Sequence, residues 1–305
     1  MVAQLYVFSG TGNSLAVARE LADHLDAEIR SIPALMRQAS VGIEADVVGF
    51  VFPVHHKSIP LILRRFVEKA RFKDDAYLFA LCTYGDSPGL AVDHLRELLT
   101  AQGKDLAAGF GVHLPYNYLT PSPVLRGFFR SFTLREIPKP TQQALVVAAP
   151  EKIAGVAAAI RVRETGLYER TSDLITPFAE RIGLPETLGK WVWMRVAGVH
   201  DPPDVPFLES RQVMDQAFWA DPSCNGCGIC AQICPVRNVD LVDDRPRWLG
   251  HCEQCFACLQ WCPQEAIQFG RKTTGRRRYH HPSVTLAEML RLAPKDQDWN
   301  QTPQS

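Results

Sequence analysis

Two cysteine runs with the same internal spacing constrain this chain more than any other feature. They read Cys224-x2-Cys227-x2-Cys230-x3-Cys234-Pro235 and Cys252-x2-Cys255-x2-Cys258-x3-Cys262-Pro263. The chain has nine cysteines in 305 residues, and eight of them fall in these two runs. Such a concentration marks a module organised by metal or by disulfides.

Metal is the favoured interpretation of this module. Residues 1–8 lead straight into an apolar strand without a charged leader, so we expect no signal peptide and a cytosolic location in which thiols stay reduced. The triple CxxC pattern followed by x3-C-P is typical of bacterial iron–sulfur sites, whose fourth cysteine ligates the other cluster. Zinc, which uses separated CxxC pairs, and a disulfide framework are the alternatives. The predicted ligands are Cys224, Cys227, Cys230 and Cys262 for cluster 1, and Cys252, Cys255, Cys258 and Cys234 for cluster 2.

Residues 221–269 resemble a dicluster ferredoxin through these two runs. The resemblance implies a small α+β domain that carries two [4Fe-4S] clusters close enough for one-electron transfer between them. Gly226 and Gly228 would let the first loop bend and leave backbone N–H groups free to face sulfur.

The first half of the chain alternates strand and helix patterns. Strands are predicted at Val2–Phe8, Ala27–Ile32, Asp46–Phe52, Ala76–Cys82 and Leu106–Leu114. Helices are predicted at Ser14–Leu25, Ile59–Ala70, Gly89–Gln102 and Pro150–Leu167. Five strands separated by helices, the third and fourth of them apolar along their length, predict an α/β fold with a doubly wound parallel sheet of five strands.

A polar glycine loop lies between the first strand and the first helix. Its residues are Ser9, Gly10, Thr11, Gly12, Asn13 and Ser14. Outward-facing N–H groups and the helix dipole make such a junction a natural phosphate site, although a glycine loop taken alone is more often an ordinary turn. The loop lacks the lysine of a Walker motif and the third glycine of a GxGxxG fingerprint, so ATP hydrolysis and a dinucleotide domain are not expected.

Residues 1–150 resemble flavodoxin, because Ser9, Thr11, Gly12 and Ser14 fit its phosphate loop, [ST]-x-T-G-x-[ST]. The resemblance implies the sheet order 2-1-3-4-5 and FMN at the carboxyl ends of the strands. Two further loops would then flank the flavin ring, and they supply the remaining predicted cofactor contacts: Pro53, Val54, His55, Thr83, Tyr84, Gly85 and Asp86. An exposed loop position for His55 and a turn cap for Asp86 are the alternatives, and Cys82 is interpreted as a core thiol.

The chain is therefore divided into four parts by prediction. Residues 1–167 form the flavodoxin-like domain with a proline- and aromatic-rich insertion at 115–145. Residues 168–220 form a partly helical connector, 221–270 the cysteine domain, and 271–305 a basic and then polar tail. Lys plus Arg and Asp plus Glu number 33 each, which argues against a dedicated nucleic-acid binder. No apolar run is long enough to predict a membrane span.

Together the two halves resemble flavodoxin–ferredoxin fusion proteins. The resemblance implies an electron-transfer protein that passes electrons between two [4Fe-4S] clusters and FMN and serves a partner oxidoreductase. One alternative is a flavoenzyme that acts on a small substrate beneath the 115–145 insertion, with the clusters as relay. Another is an iron–sulfur redox sensor without flavin. The oligomeric state is not readable from the sequence.

Overall fold

The computed structural model describes residues 2–116, 137–170, 190–191, 194–195, 197–199, 205–270 and 273–294. Most of the predicted 115–145 insertion, including Tyr118 and Phe128, lies outside these residues. Most of the predicted connector that precedes residue 205 also lies outside them.

A five-stranded parallel sheet forms the centre of the first half of the chain. Its strands are β1 (Ala3–Val7), β2 (Glu28–Ser31), β4 (Val47–Pro53), β6 (Tyr77–Tyr84) and β7 (Leu106–His113). Their spatial order is β2-β1-β4-β6-β7, and every neighbouring pair is parallel. This is the order 2-1-3-4-5 counted within the sheet, so the predicted α/β fold of this half is confirmed.

Helices cover both faces of the sheet. They are α1 (Asn13–Leu25), α3 (Leu61–Lys69), α4 (Ala91–Thr100) and α5 (Lys139–Arg161). Alternate residues of one strand enter different cores: Phe50 and Phe52 of β4 pack with α3 and α4, whereas Val47 and Val51 pack with α1 and α5. Burial on both faces explains why β4 and β6 are continuous apolar runs.

A short helix and a second, two-stranded sheet complete this half of the molecule, and neither was predicted. Helix α2 spans Ile32–Leu35, and its N-cap Ser31 accepts a hydrogen bond from the Ala34 N–H. Strands β3 (Val41–Ile43) and β5 (Ala70–Phe72) pair in parallel. Three-residue strands carry too little periodicity to be recognised in a sequence.

The prediction for α5 was wrong at both ends, because the helix runs from Lys139 to Arg161 instead of Pro150–Leu167. It begins with Pro140 in its first turn, where a missing N–H costs nothing. Pro150 lies inside the helix at an exposed position. Residues 139–145 of the predicted insertion are therefore helical.

Helix α5 also meets the length and composition of a membrane-spanning helix, the one helix to do so among the described residues. Core helices of other proteins meet the same test. Here Ile153, Val156 and Ile160 are buried in the core beneath the sheet.

The cysteine-rich half is built from short elements. They are α6 (Phe207–Ser210), a 3₁₀ helix (Gln212–Ala217), β8 (Phe218–Ala220), α7 (Ile229–Gln232), β9 (Val239–Val242), β10 (Arg245–Trp248), α8 (Ala257–Gln260) and β11 (Ile267–Phe269). Strands β9 and β10 form an antiparallel pair, and β8 pairs antiparallel with β11. Residues 218–220, which were predicted to be connector, thus belong structurally with the cysteine runs. The rings of Phe218, Phe256 and Phe269 pack together beneath them.

The chain then returns to the α/β half through helix α9 (Leu286–Leu292), which was predicted as polar tail. The Thr285 side chain accepts from the Glu288 N–H, and Glu288 accepts from the Thr285 N–H, which completes a capping box. Glu288 also pairs with Arg19 of α1 at 2.7 Å. Thr285-x-x-Glu288 is a recognisable start signal for a helix, so the sequence contained the information.

Candidate functional site

The first predicted set of cysteines lines one cavity. Cys224, Cys227, Cys230 and Cys262 share it with Gly226 and Gly228, whose backbones have positive φ values of 72° and 73°. Burial is the largest cause that raises the pKa of Cys230 to about 12, and the thiols of Cys262, Cys227 and Cys224 add to the rise. The fold therefore brings the last cysteine of the second run to the first three of the first run.

The second set converges in the same crossed manner. Burial raises the pKa of the Cys252 thiol well above its ordinary value, with further contributions from the neighbouring Cys255, Cys258 and Cys234. The Sγ of Cys234 accepts from the Asn238 N–H at 3.1 Å, and the Sγ of Cys252 from the Gln254 N–H at 3.3 Å. Hydrogen bonds of this kind to sulfur tune the potential of iron–sulfur sites.

The two sets differ in their access to solvent. Cys227 is exposed and Cys224 and Cys262 are partly exposed, whereas all four thiols of the second set are buried. Among the described residues, no three His, Cys, Asp or Glu side chains are placed to hold one common metal ion. A cubane is bound through four different iron atoms, so its thiolates need not converge on one point.

A buried polar network holds the two cysteine runs in register. The Asn238 side chain donates to Asp215 Oδ2 at 2.7 Å and accepts from the His251 N–H at 2.7 Å. The same Asp215 oxygen accepts from the Gly250 N–H at 2.8 Å. Asp215 and Asn238 are almost fully buried, where hydrogen bonds are stronger than in water. These bonds therefore fix the segment before the second run relative to the end of the first run. Sequence reasoning missed both residues, because an isolated Asp or Asn carries no motif.

The glycine loop after β1 presents unpaired donors in a buried place. Gly12, with φ of 92°, caps α1 without a side-chain hydrogen bond. The Gly12 N–H donates to Ser9 Oγ at 3.1 Å. Among the described residues, the N–H groups of Thr11, Asn13 and Ser14 and the hydroxyl of Thr11 have no hydrogen-bond partner. Unpaired donors on these almost fully buried residues, at the N-terminus of a 13-residue helix, fit a phosphate group.

The other two predicted loops meet this loop at the carboxyl edge of the sheet. Ser14 Oγ lies 2.8 Å from Thr83 Oγ1, and the Val54 N–H donates to the Thr83 carbonyl at 2.8 Å. Pro53 ends β4 directly before Val54. The structure thus brings Ser9–Ser14, Pro53–Val54 and Thr83 together.

Tyr84, Gly85 and Asp86 differ in their surroundings. The Tyr84 ring is stacked on His113 with centroids 5.3 Å apart. A Cβ on Gly85 would lie 2.4 Å from the Tyr116 side chain, so Tyr116 closes over this turn. Asp86 is exposed. Cys82, in contrast, is fully buried in β6, and burial raises its pKa to about 12, as expected of a core thiol.

His55 lies where the α/β half meets the cysteine-rich half. It packs edge-on against Phe8 with ring centroids 5.8 Å apart. His55 keeps some solvent exposure, yet its surroundings are dense. Desolvation, assisted by the nearby Arg211 charge, lowers its pKa to about 3, so the imidazole is neutral at physiological pH.

The cysteine-rich half covers the glycine loop directly. The Trp261 indole N–H donates to the Gly10 carbonyl at 3.0 Å, and a Cβ on Gly10 would lie 2.5 Å from the carbonyl oxygen of Cys255. From the C-terminal segment, the Tyr279 hydroxyl donates to Asn13 Oδ1 at 2.8 Å and the His281 N–H donates to the Thr11 carbonyl at 2.9 Å. Trp261, Tyr279 and His281 were not predicted as site residues, because contacts so distant in sequence leave no local pattern.

Substitution of Gly10 tests this close approach. We expect Gly10→Ala to destabilise the protein by about 1–3 kcal/mol, because the new methyl group overlaps a backbone carbonyl that cannot rotate away. Gly42→Ala is the matched control, since nothing lies within 4 Å of a Cβ there. Thermal unfolding of both variants measures the difference. Equal midpoints would contradict the contact.

Comparison with known proteins gives weak similarities. No family model matches the sequence, and no curated protein matches it. Similar solved structures include a flavodoxin from Streptococcus pneumoniae TIGR4 (12% identity, TM-score 0.34, 53% of this chain and 99% of that one). An azoreductase from Bacillus anthracis (12%, TM-score 0.33, 52% and 99%) and a flavodoxin from the domain Archaea (12%, TM-score 0.28, 53% and 99%) are also similar. Scores this low carry no argument about function, so the fold assignment rests on strand order and direction.

Proposed function

We propose that this protein is an electron-transfer protein that carries two [4Fe-4S] clusters and FMN and links one- and two-electron carriers for a partner oxidoreductase. One observation carries the proposal. The last cysteine of each run lies with the first three of the other run, which is the ligand arrangement of paired cubanes.

FMN is proposed for the edge of the sheet at which the three loops meet. The unpaired N–H groups and the Thr11 hydroxyl fit its phosphate. The loops containing Pro53–His55 and Thr83–Asp86 would hold the ring, with backbone amides near its edges. When bound, FMN exchanges one or two electrons, whereas each cubane exchanges one at a time.

The two thiol sets suggest different tasks for the two clusters. Cluster 2 would lie inside the protein, since Cys255 touches the glycine loop through its carbonyl. Cluster 1 would lie near the surface, where Cys227 is exposed. Cys230 of the first set contributes to raising the pKa of the Cys258 thiol, so the two cysteine sets lie next to each other. A partner protein would therefore exchange electrons at cluster 1, and cluster 2 would connect it with the flavin.

The division of the chain at residues 167, 220 and 270 and a cytoplasmic location remain part of this proposal. Residues 221–270 would be the ferredoxin-like domain, extended by β8 through its pairing with β11.

Anaerobic purification tests the proposed cofactors. We expect about eight iron and eight sulfide per chain, because each cubane holds four of each. We also expect one FMN, released by acid and identified by its mass and fluorescence. Zinc in place of iron would contradict the cluster assignment. Full iron content without any bound flavin after reconstitution would support the clusters and contradict FMN binding. That result would favour the iron–sulfur sensor without flavin.

A further inference from the structure

We infer that Trp261 and the C-terminal strap, here defined as residues 279–284 alone, are positioning elements of the phosphate site: both hold the glycine loop in its anion-binding conformation. The inference rests on the proposed FMN role. It assigns a task to residues of the cysteine-rich half and of the C-terminal segment.

The peptide planes of the loop supply the first argument. In a trans peptide, the carbonyl of one residue and the N–H of the next point in opposite directions. Trp261 binds the Gly10 carbonyl, so it orients the Thr11 N–H away from the cysteine runs. The Thr11 carbonyl accepts from the His281 N–H, which orients the next N–H, that of Gly12, towards Ser9 Oγ. The two carbonyl acceptors thus face Trp261 and the strap, and the N–H donors that follow them face the opposite side.

Asn13 supplies the second argument. Its amide nitrogen donates to the Pro115 carbonyl at 2.8 Å, and its amide oxygen accepts from the Tyr279 hydroxyl at 2.8 Å. Because both its amide nitrogen and its amide oxygen are bound, the Asn13 side chain cannot rotate towards the backbone N–H of Asn13. That N–H therefore stays free for an anion. Gly12 is covered in addition, because a Cβ there would lie 3.0 Å from Val284.

The strap is itself held by the cysteine-rich half. The Tyr279 N–H donates to Gln260 Oε1 at 2.7 Å, and the His280 ring is stacked on Trp261 with centroids 4.4 Å apart. Beyond the strap, Ser31 Oγ donates to the Leu292 carbonyl at 2.5 Å, which secures α9 on the α/β half. The strap is therefore anchored on both sides of its contacts with the glycine loop, which fixes the direction of the loop carbonyls.

Two conservative substitutions test Trp261 and the strap in the anaerobic holoprotein. Trp261→Phe and Tyr279→Phe each remove one donor and keep an aromatic ring. Matched controls are Trp219→Phe, whose indole donates to the Gly270 carbonyl at 2.8 Å, and Tyr168→Phe, whose hydroxyl donates to the Leu106 carbonyl. The readouts are the dissociation rate of FMN, followed by recovery of flavin fluorescence, the affinity for riboflavin, and the iron content.

We expect each of these two variants to release FMN about fivefold faster, the effect of one hydrogen bond, while the controls match the wild type. Riboflavin, which lacks the phosphate, should bind with unchanged affinity. Wild-type release rates in both variants would overturn the inference and leave the proposed function intact. An equal loss for FMN and riboflavin would also overturn it, since the contacts would then act on the ring. A wild-type protein with full clusters that binds no FMN would overturn the flavin role and the strap together. Trp261 precedes Cys262 in the chain, so Trp261→Phe could lose iron. If it does, the FMN release rate of Tyr279→Phe alone tests the inference.

Discussion

Replacement of Cys234 by serine is expected to remove cluster 2 and to leave cluster 1 in place, although Cys234 belongs to the first run. Iron should fall from about eight to about four per chain. Replacement of Cys262 should give the same iron content through loss of cluster 1. The reason is the crossed grouping: Cys234 lies with Cys252, Cys255 and Cys258, and Cys262 shares a cavity with the first run.

Double variants distinguish crossed from uncrossed ligation by their iron content alone. Cys234→Ser combined with Cys252→Ser touches one crossed set, so about four iron should remain. Cys234→Ser combined with Cys230→Ser touches both sets, so nearly all iron should be lost. Uncrossed ligation reverses the two results. Cys82→Ser is the control for loss of a buried thiol, since Cys82 lies in β6 of the α/β half. Iron and sulfide analysis with low-temperature EPR of the reduced protein provides the measurement.

Introduction of a carboxylate into the glycine loop is expected to have the second large effect. Thr11→Glu should weaken FMN binding by at least about a hundredfold, because it removes a hydroxyl donor and adds a negative charge beside a phosphate in a buried place. Thr11 is only 6% exposed, so solvent cannot screen the repulsion effectively. Fluorescence titration of the flavin-free protein measures the affinity.

Two further variants keep this result interpretable. Thr100→Glu places the same side chain at an exposed position of α4 and should bind FMN as the wild type does. Thr11→Val preserves shape and adds no charge, so it should lose only about tenfold or less, the range of one hydrogen bond. Unchanged FMN affinity in Thr11→Glu, with iron content at the wild-type level, would show that the phosphate binds elsewhere.

Patterns that repeat over short distances were readable before the structure. The five strands of the large sheet, three of their four intervening helices and the glycine loop follow from apolar periodicity and turn residues. The sequence misplaces helix α5, because Pro150 is typical of a helix start, whereas the structure tolerates a proline at this exposed interior position. Helix α9 was missed, although its capping box at Thr285 and Glu288 marked the start.

The sequence by itself determined the spacing of the cysteines and the parallel direction of the strands, because each depends on residues near one another in the chain or on connections with a preferred hand. Only the tertiary structure decided that Trp261, Tyr279 and His281 lie on a loop some 250 residues earlier in the chain. Only the structure showed that all four thiols of one set are buried, whereas three of the four in the other set are exposed or partly exposed. Such contacts form at the interface between the two halves of the molecule. The free energy of packing this interface is distributed over many side chains, none of which has a recognisable local sequence pattern.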